Sequence, residues 1–318
     1  LPFSKIIHPL ENKLQVQHLN VGEGGDGQRL DNWLIKILKG VPKSHIHRII
    51  RAGEVRVDGK RATADTRLSA QCVVRLPPVR IAQASETQVF PAEFPILFED
   101  EFMLAIDKPA GIAVHGGSGV SSGVIEQIRC ARTPKFLELV HRLDRETSGI
   151  LLLAKKRSAL TAAQQSLREG VWKKEYFLGV FGHPPFEKHE VRLPLSKNIS
   201  EEKTRKVFVD ERNGQFALTR FTVKQRLSLG GLMTARIMTG RTHQIRVHAA
   251  ALGLPVVGDE RYGDFAQNKA LRIKRMLLHA HFLSLPHPAT GILLSLNSPM
   301  PRDFSSELEK LGRVALTQ

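Results

Sequence analysis

The sequence predicts an α+β protein of two domains: a small basic module of two helices and a hairpin, then a larger domain of mixed, largely antiparallel sheet. Three observations carry that prediction. The chain has 318 residues, enough for about two domains with substantial cores. Its net charge is +16, and half of the excess lies in residues 29–80, which hold 12 Lys/Arg against 4 Asp/Glu. Beyond residue 95, short β-compatible apolar runs recur with few helical stretches between them.

In the first module, Leu30, Trp33, Leu34, Ile37 and Leu38 follow helical spacing and form one apolar stripe. Trp33 lies on that stripe and is expected in the core. After Gly40-Val41-Pro42, Ser44 is the expected N-cap of a second helix that carries Ile46, Ile49 and Ile50 and stops at Gly53. The opposite faces present Lys36, Lys39, Lys43, His45, Arg48 and Arg51. Val55 to Lys60 alternates and turns at Asp58-Gly59, a hairpin signal.

Residues 77–95 contain four prolines and polar spacers without a period, the composition of an interdomain linker. The expected division is an N-terminal extension over 1–20, the basic module over 21–80, a linker over 81–95 and the larger domain over 96–318. In that domain ILFEDEFMLAID, GILLLAKK, KEYFLGVF, FALTRFTV, LMTARIM and LLHAHFLSL read as strands. Residues 158–169 read as a helix with Ser158 as cap and Gly170 as stop.

Charge narrows the partner. A protein with pI near 10.1, a concentrated basic patch and no membrane motif is expected to meet nucleic acid. No apolar run is long enough to span a bilayer, and no secretory h-region is visible. Cys72 and Cys130 lack metal-ligand spacing and fit reduced cytosolic thiols, so a cytoplasmic location is expected. There is no G-x-x-x-x-G-K-[ST] and no G-x-G-x-x-G, so no nucleotide cofactor is expected. Gly119-Val120-Ser121-Ser122-Gly123 matches G-x-S-x-G literally, but it shares one glycine-rich loop with His115-Gly116-Gly117 and does not follow a strand as a nucleophile elbow must. The pairs His243/His248 and His279/His281 lack zinc-helix spacing and enclose no carboxylate, so they are expected to be structural or RNA-contacting.

The most informative stretch is ELVHRLDRETSGILLLAKK, residues 138–156. A polar cluster abuts a core strand, with Gly149 supplying the freedom to enter it. A loop at the mouth of a rigid strand is a good place for function.

His141 to Gly149 matches an HRLDxxTSG signature, and IDKPAGIAVHGG (106–117), KKEYFLGV (173–180) and TGRTHQIRVHAAALGLPVVGDERYG (239–263) agree with it in order. On these motifs the chain from about residue 96 to the end resembles the pseudouridine synthases of the RluA type. Segments 183–215 and 264–275 match only loosely and are candidate substrate-recognition loops. Residues 29–80 resemble the S4-like RNA-binding domain through RLDNWL, PKSHIHRIIRAGEVRVDGKR and VVRLPP. That resemblance implies that Lys36, Lys43, Arg48 and Arg51 grip structured RNA, chiefly through phosphates.

The family resemblance implies a pseudouridine synthase fold, no cofactor and a monomer acting on ribosomal RNA of the large subunit (23S rRNA). The same chemistry on another large-subunit site or on tRNA, or a non-catalytic RNA-binding factor, stays open. Pseudouridylation breaks the N1–C1′ bond of a uridine, turns the base and rejoins it through C5. It needs one carboxylate and a dry site. By resemblance Asp144 is that carboxylate, whether it attacks C1′ or C6 or assists removal of the 2′ proton; each route requires it ionised. An aspartate taken out of water needs a cation beside it, and the family motif supplies Arg246. Tyr176, by resemblance, stacks on the uracil. The target must be flipped out of its helix, and Arg142 is the group expected to fill the vacated stack or hold the flipped phosphate. His141 and Thr147 are expected to shape the loop or touch substrate, and Arg241 and His243 to be structural or RNA-facing.

Overall fold

The computed structural model describes residues 15–38, 40–79, 89–116, 122–199 and 205–312. Lys39, the stretches 1–14 and 81–88 of the expected extension and linker, and most of the G-x-S-x-G segment lie outside the described residues. The chain divides into two units, residues 1–88 and 89–318.

In the first unit the apolar spacing does what it predicts. Helices α1 (Leu30–Ile37) and α2 (Lys43–Arg51) bury Leu30, Leu34, Ile46, Ile49 and Ile50 in one core, where Trp33 is 6% exposed. Lys36, Lys43, Arg48 and Arg51 stay on the exposed side. Strands β1 (Gln17–Asn20), β2 (Arg56–Val57), β3 (Lys60–Arg61) and β4 (Val73–Leu76) form an antiparallel sheet ordered β1-β4-β2-β3. The hairpin turns at Asp58 and Gly59, both at positive φ (47° and 75°), the pairing a two-residue I′ turn requires.

Two expectations are corrected here. Residues 17–20 are not an extension, since all four pair with β4. Ser44 does not cap α2: Pro42 holds the N-cap position, and its carbonyl accepts from His45 and Ile46. The proline's fixed φ sets the N-cap two residues before the serine, and the helix starts at Lys43.

The second unit is organised around one sheet. Its elements are β5 (Ile96–Glu99), β6 (Met103–Lys108), α3 (Val124–Arg132), β7 (Glu138–Leu139), β8 (Ser148–Ala154), α4 (Arg157–Arg168), β9 (Lys173–Phe181) and β10 (Lys188–Val191). There follow β11 (Leu195–Ile199), β12 (Arg205–Val209), β13 (Thr219–Leu227), β14 (Gly230–Ile237), α5 (Gln244–Ala251), α6 (Phe265–Ala270), β15 (Leu278–Pro286), β16 (Leu293–Asn297) and α7 (Arg302–Glu309). The sheet runs β10-β13-β14-β9-β15-β8-β6-β5, with β16 beside β15, β7 beside β8, and β11-β12 as a separate hairpin. Its pairs are antiparallel except β15 with β8 at the centre.

All seven residues of β8 are buried. Leu151 and Leu153 join a core with Val124, Ile125 and Ile128 of α3, whereas Ile150, Leu152 and Ala154 join another with Ala159, Leu160 and Ala163 of α4. Both faces are covered, so the strand reads as an unbroken apolar run instead of an alternating one.

Helix α4 stops at Gly170 (φ 75°) as expected, but Lys156 occupies its N-cap and Ser158 lies inside the helix. Residues 89–95, expected as linker, pack on this unit: Phe94 is buried in the core and the Pro95 carbonyl accepts from Asp107.

Gly149 enters β8 at φ 108°, and a Cβ there would sit 2.3 Å from the Ala280 carbonyl oxygen of β15. Gly149→Ala is therefore expected to destabilise the unit by at least ~1–3 kcal/mol from backbone strain alone. An unchanged melting temperature would contradict it.

Candidate active site

Asp144 sits in the loop between β7 and β8, and the loop is held from both sides of its polar surface. Leu143 is buried in the core beside it. The Thr147 amide donates to the Asp144 carbonyl at 3.1 Å. The Arg145 carbonyl accepts from the Gly111 amide and from Lys108 Nζ.

Lys108 is fully buried, and its Nζ donates to the carbonyls of Pro109, Ile112 and Arg145 at 2.7, 2.8 and 3.0 Å. Burial pushes its pKa down to about 7 against the attraction of Glu146 and Asp144. The three carbonyls oppose burial, because only the ammonium form has a proton for each.

At the far end of the loop Arg275 Nη2 donates to Ser148 Oγ at 2.7 Å, and Ser148 Oγ lies 2.9 Å from His279 Nδ1. Burial pushes the His279 pKa down to about 4, so the neutral ring accepts the serine proton. Both residues are inaccessible, which makes this pair an anchor for β8.

His141 and Thr147 belong to the loop's frame. Nε2 of His141 accepts from the Leu152 amide at 3.1 Å, its ring meets Trp172 edge-on, and burial pushes its pKa down to about 4. Thr147 is 2% exposed. His141 is half-buried and Thr147 buried, and the contacts of both are those of residues that shape the loop. Arg142 is exposed.

Asp144 is less buried than a dry site would require, with 28% of its side chain exposed. Arg246 Nη1 donates to its Oδ2 at 3.1 Å, and His243 Nε2 lies 3.8 Å from the same oxygen. Both contacts fall on Oδ2, leaving Oδ1 without a partner among the described residues. Tyr176, on β9 opposite Ala235 and Ala280, is 8% exposed. Burial, then the charge of Asp144, raises its pKa and keeps the phenol protonated.

Arg246 itself is committed elsewhere. Its Nε and Nη2 grip both oxygens of Asp259 at 2.6 and 2.7 Å, and Asp259 is wholly buried. The Asp259 carboxylate also accepts from the amides of Arg261 and Tyr262. Burial alone would raise the Asp259 pKa, but Arg246 and these amides bring it below the ordinary value. Burial likewise pulls the guanidinium's pKa down, and Asp259 with Asp144 more than reverses it. The arginine is thus a fixed cation whose Nη1 is left for Asp144.

His243 takes up a left-handed backbone (φ 53°) at the N-cap of α5. Its Nδ1 lies 2.9 Å from the Tyr262 hydroxyl, which accepts from the Val207 amide. Burial pulls the His243 pKa down despite Asp144, so the ring is neutral near pH 7. Arg241 is exposed, with Nε donating to the Phe216 carbonyl. His248 is fully buried between Thr219 Oγ1 and the Leu193 carbonyl. Among the described residues no group of His, Cys, Asp or Glu could hold a metal, and no helix is long and apolar enough to cross a membrane.

Sequence reasoning paired Asp144 with Arg246 through the family resemblance, did not place His243 beside them, and missed Asp259, Tyr262 and Lys108. All three lie inside the quoted motifs GDERYG and IDKPAG; an acid or lysine adjoining a strongly apolar run was the available signal.

Residues 103–251 match the RNA pseudouridylate synthase family and residues 28–73 the S4 domain. Ribosomal large subunit pseudouridine synthase C of Haemophilus ducreyi is 44% identical over 307 residues, 93% of this chain and 96% of that protein. The Escherichia coli K12 protein of the same name is 46% identical over 299 residues, 90% and 93% of the two chains. The solved structure of human RNA pseudouridylate synthase domain containing 1 superposes with a TM-score of 0.57 at 26% identity, covering 66% of this chain and 84% of that one. With Asp144 held by a buried arginine, and relatives aligned over nearly its whole length, the chain belongs to the RNA pseudouridylate synthase family and is a pseudouridine synthase that carries an S4 domain.

Proposed function

We propose that the chain isomerises uridines of large-subunit ribosomal RNA to pseudouridine, as a monomer in the cytoplasm, with Asp144 as the catalytic carboxylate. The observation that supports this role is the placement of Asp144: one carboxylate oxygen is held by a permanent cation and the other is open to a substrate atom. The target follows from the relatives' names and the extent of the match.

In this reading a flipped uridine enters beside Tyr176, whose protonated ring stacks on the base and brings its hydroxyl towards the ribose. Asp144 Oδ1 meets the reacting atom, while Arg246 holds the carboxylate in place through Oδ2. Neutral His243 flanks Oδ2 without competing for its charge. Arg142, exposed beside the loop, fills the gap left in the RNA stack or holds the flipped phosphate. The 28% exposure of Asp144 belongs to the RNA-free chain, and the incoming nucleotide supplies the missing wall.

Release of tritium from C5-labelled uridine in a large-subunit rRNA transcript tests the proposal. Release from tRNA alone would move the target, and release from neither would remove the catalytic reading.

The S4 domain is expected to act in capture. Its exposed Lys36, Lys43, Arg48 and Arg51 would neutralise phosphates, each contributing ~0.7–0.9 to the salt slope of binding. Deleting residues 1–88 should weaken rRNA binding and flatten that slope. Unchanged affinity and slope would give the domain another role.

A further inference from the structure

A cleft of 340 Å³ opens beside the GRTH segment, away from Asp144 itself. Leu195 and Val207 from the β11-β12 hairpin give it an apolar floor. Asn213 and Gln215, whose side chains end in amides, also line it, together with the charged Lys197 and Arg241. Asn213 and Gln215 are exposed, and among the described residues their bonds to Asp210 and Leu195 use their backbone groups only, which leaves the side-chain amides for a ligand. Arg241 is oriented by one bond from Nε to the Phe216 carbonyl, so its outer nitrogens are aimed without being used among the described residues.

The cleft's place in the chain sets its distance from the chemistry. Thr242 lines it, and the next residue, His243, lies 3.8 Å from Asp144. The cleft therefore adjoins the segment whose His243 ring reaches the Asp144 carboxylate.

We propose that this cleft is a second nucleotide subsite, holding one unpaired nucleotide of the same RNA that flanks the target uridine. The statement rests on the function proposed above. The apolar floor takes the face of the base, and the Asn213 and Gln215 amides, each donor and acceptor, read its edge. Lys197 and Arg241 take its phosphate. That combination is how proteins read single-stranded RNA by sequence, and amide side chains pair with base edges through two bonds. The cleft lies in the 183–215 region and the GRTH segment, so it joins a region that departs from the family pattern to one that keeps it.

The test uses the full chain, Asn213→Ala/Gln215→Ala, and a short rRNA-derived RNA with an abasic nucleotide at each position within three of the modified uridine. One abasic position should lower kcat/KM at least tenfold for the unaltered chain. The double variant should lose a similar factor on intact RNA, and the two changes together should cost no more than either alone. Losses that multiply, or a double variant with normal turnover, would overturn the subsite.

A binding arm reads the same cleft without turnover. The double variant should bind the rRNA transcript at least fivefold more weakly with an unchanged salt slope, because amides release no counterions, whereas Lys197→Gln should flatten the slope. An unchanged affinity overturns the subsite. An unaltered chain that shows this binding pattern but no turnover overturns the proposed function instead. Melting temperatures within a degree of the unaltered chain are expected for all variants, and a lowered one with normal abasic sensitivity would make the amides structural.

Discussion

Asp144→Asn is expected to abolish pseudouridine formation while leaving the fold and RNA binding nearly unchanged. Asparagine keeps the shape of the side chain, and its carbonyl can still accept from Arg246 Nη1, but it cannot act as an anionic nucleophile or base. Stability should hardly move. The pair with Arg246 is part-exposed on the aspartate side, and such pairs contribute ~0–1 kcal/mol. Arg246 also keeps the fork of bonds to Asp259, so no buried charge is stranded. RNA affinity should persist, because it comes from phosphate contacts over many residues. Tritium release, filter binding and thermal melting on one preparation decide the matter. Turnover within about tenfold of the unaltered chain, ~1.4 kcal/mol of barrier, would remove Asp144 from the chemistry. Partial activity with a lowered melting temperature would make it a loop-stabilising residue.

Arg246→Met should do the opposite to stability. It strands Asp259, which is 0% exposed, and breaking a buried pair typically costs ~3–5 kcal/mol. It also takes the cation from Asp144, so turnover should fall with stability.

The pH dependence separates this from simple loss of packing. In the unaltered chain the Asp259 pKa lies below its ordinary value. The pairing therefore contributes fully above the ordinary carboxylate range and is lost as pH falls through the depressed value. Without Arg246, burial is left to raise that pKa, and a protonated Asp259 no longer carries a buried charge. The gap in melting temperature between the two chains should be widest near neutral pH and narrow in acid. Arg246→Met/Asp259→Asn should recover part of the stability at pH 7 but none of the activity. A gap independent of pH, or near-normal turnover in the Met variant, would show that the arginine does not serve these two acids.

Local features of this protein were legible where local forces decide them. The stripe from Leu30 to Leu38, the Asp58-Gly59 turn and the run Ile150 to Leu153 were readable because spacing, backbone preference and burial agree over a few residues. The helix starts at Ser44 and Ser158 were misplaced because Pro42 and Lys156 take up the cap conformation first, and a serine inside the first turn then has no cap to form. Asp144, Tyr176 and Arg246 were named from motifs, and the resemblance implied that Arg246 stands beside Asp144 but gave no sign of Asp259.

What only the tertiary structure decided is who pairs with whom. Arg246 lies 102 residues from Asp144 and 13 from Asp259, and neither separation marks a contact. Desolvation made the choice. An acid with no access to water must have a full set of partners, so Asp259 takes two guanidinium nitrogens and two amides, whereas the partly wet Asp144 can do with one. The same rule closes three carbonyls around Lys108. Each of these groups is ordinary in sequence and gains its role from the water that folding removes.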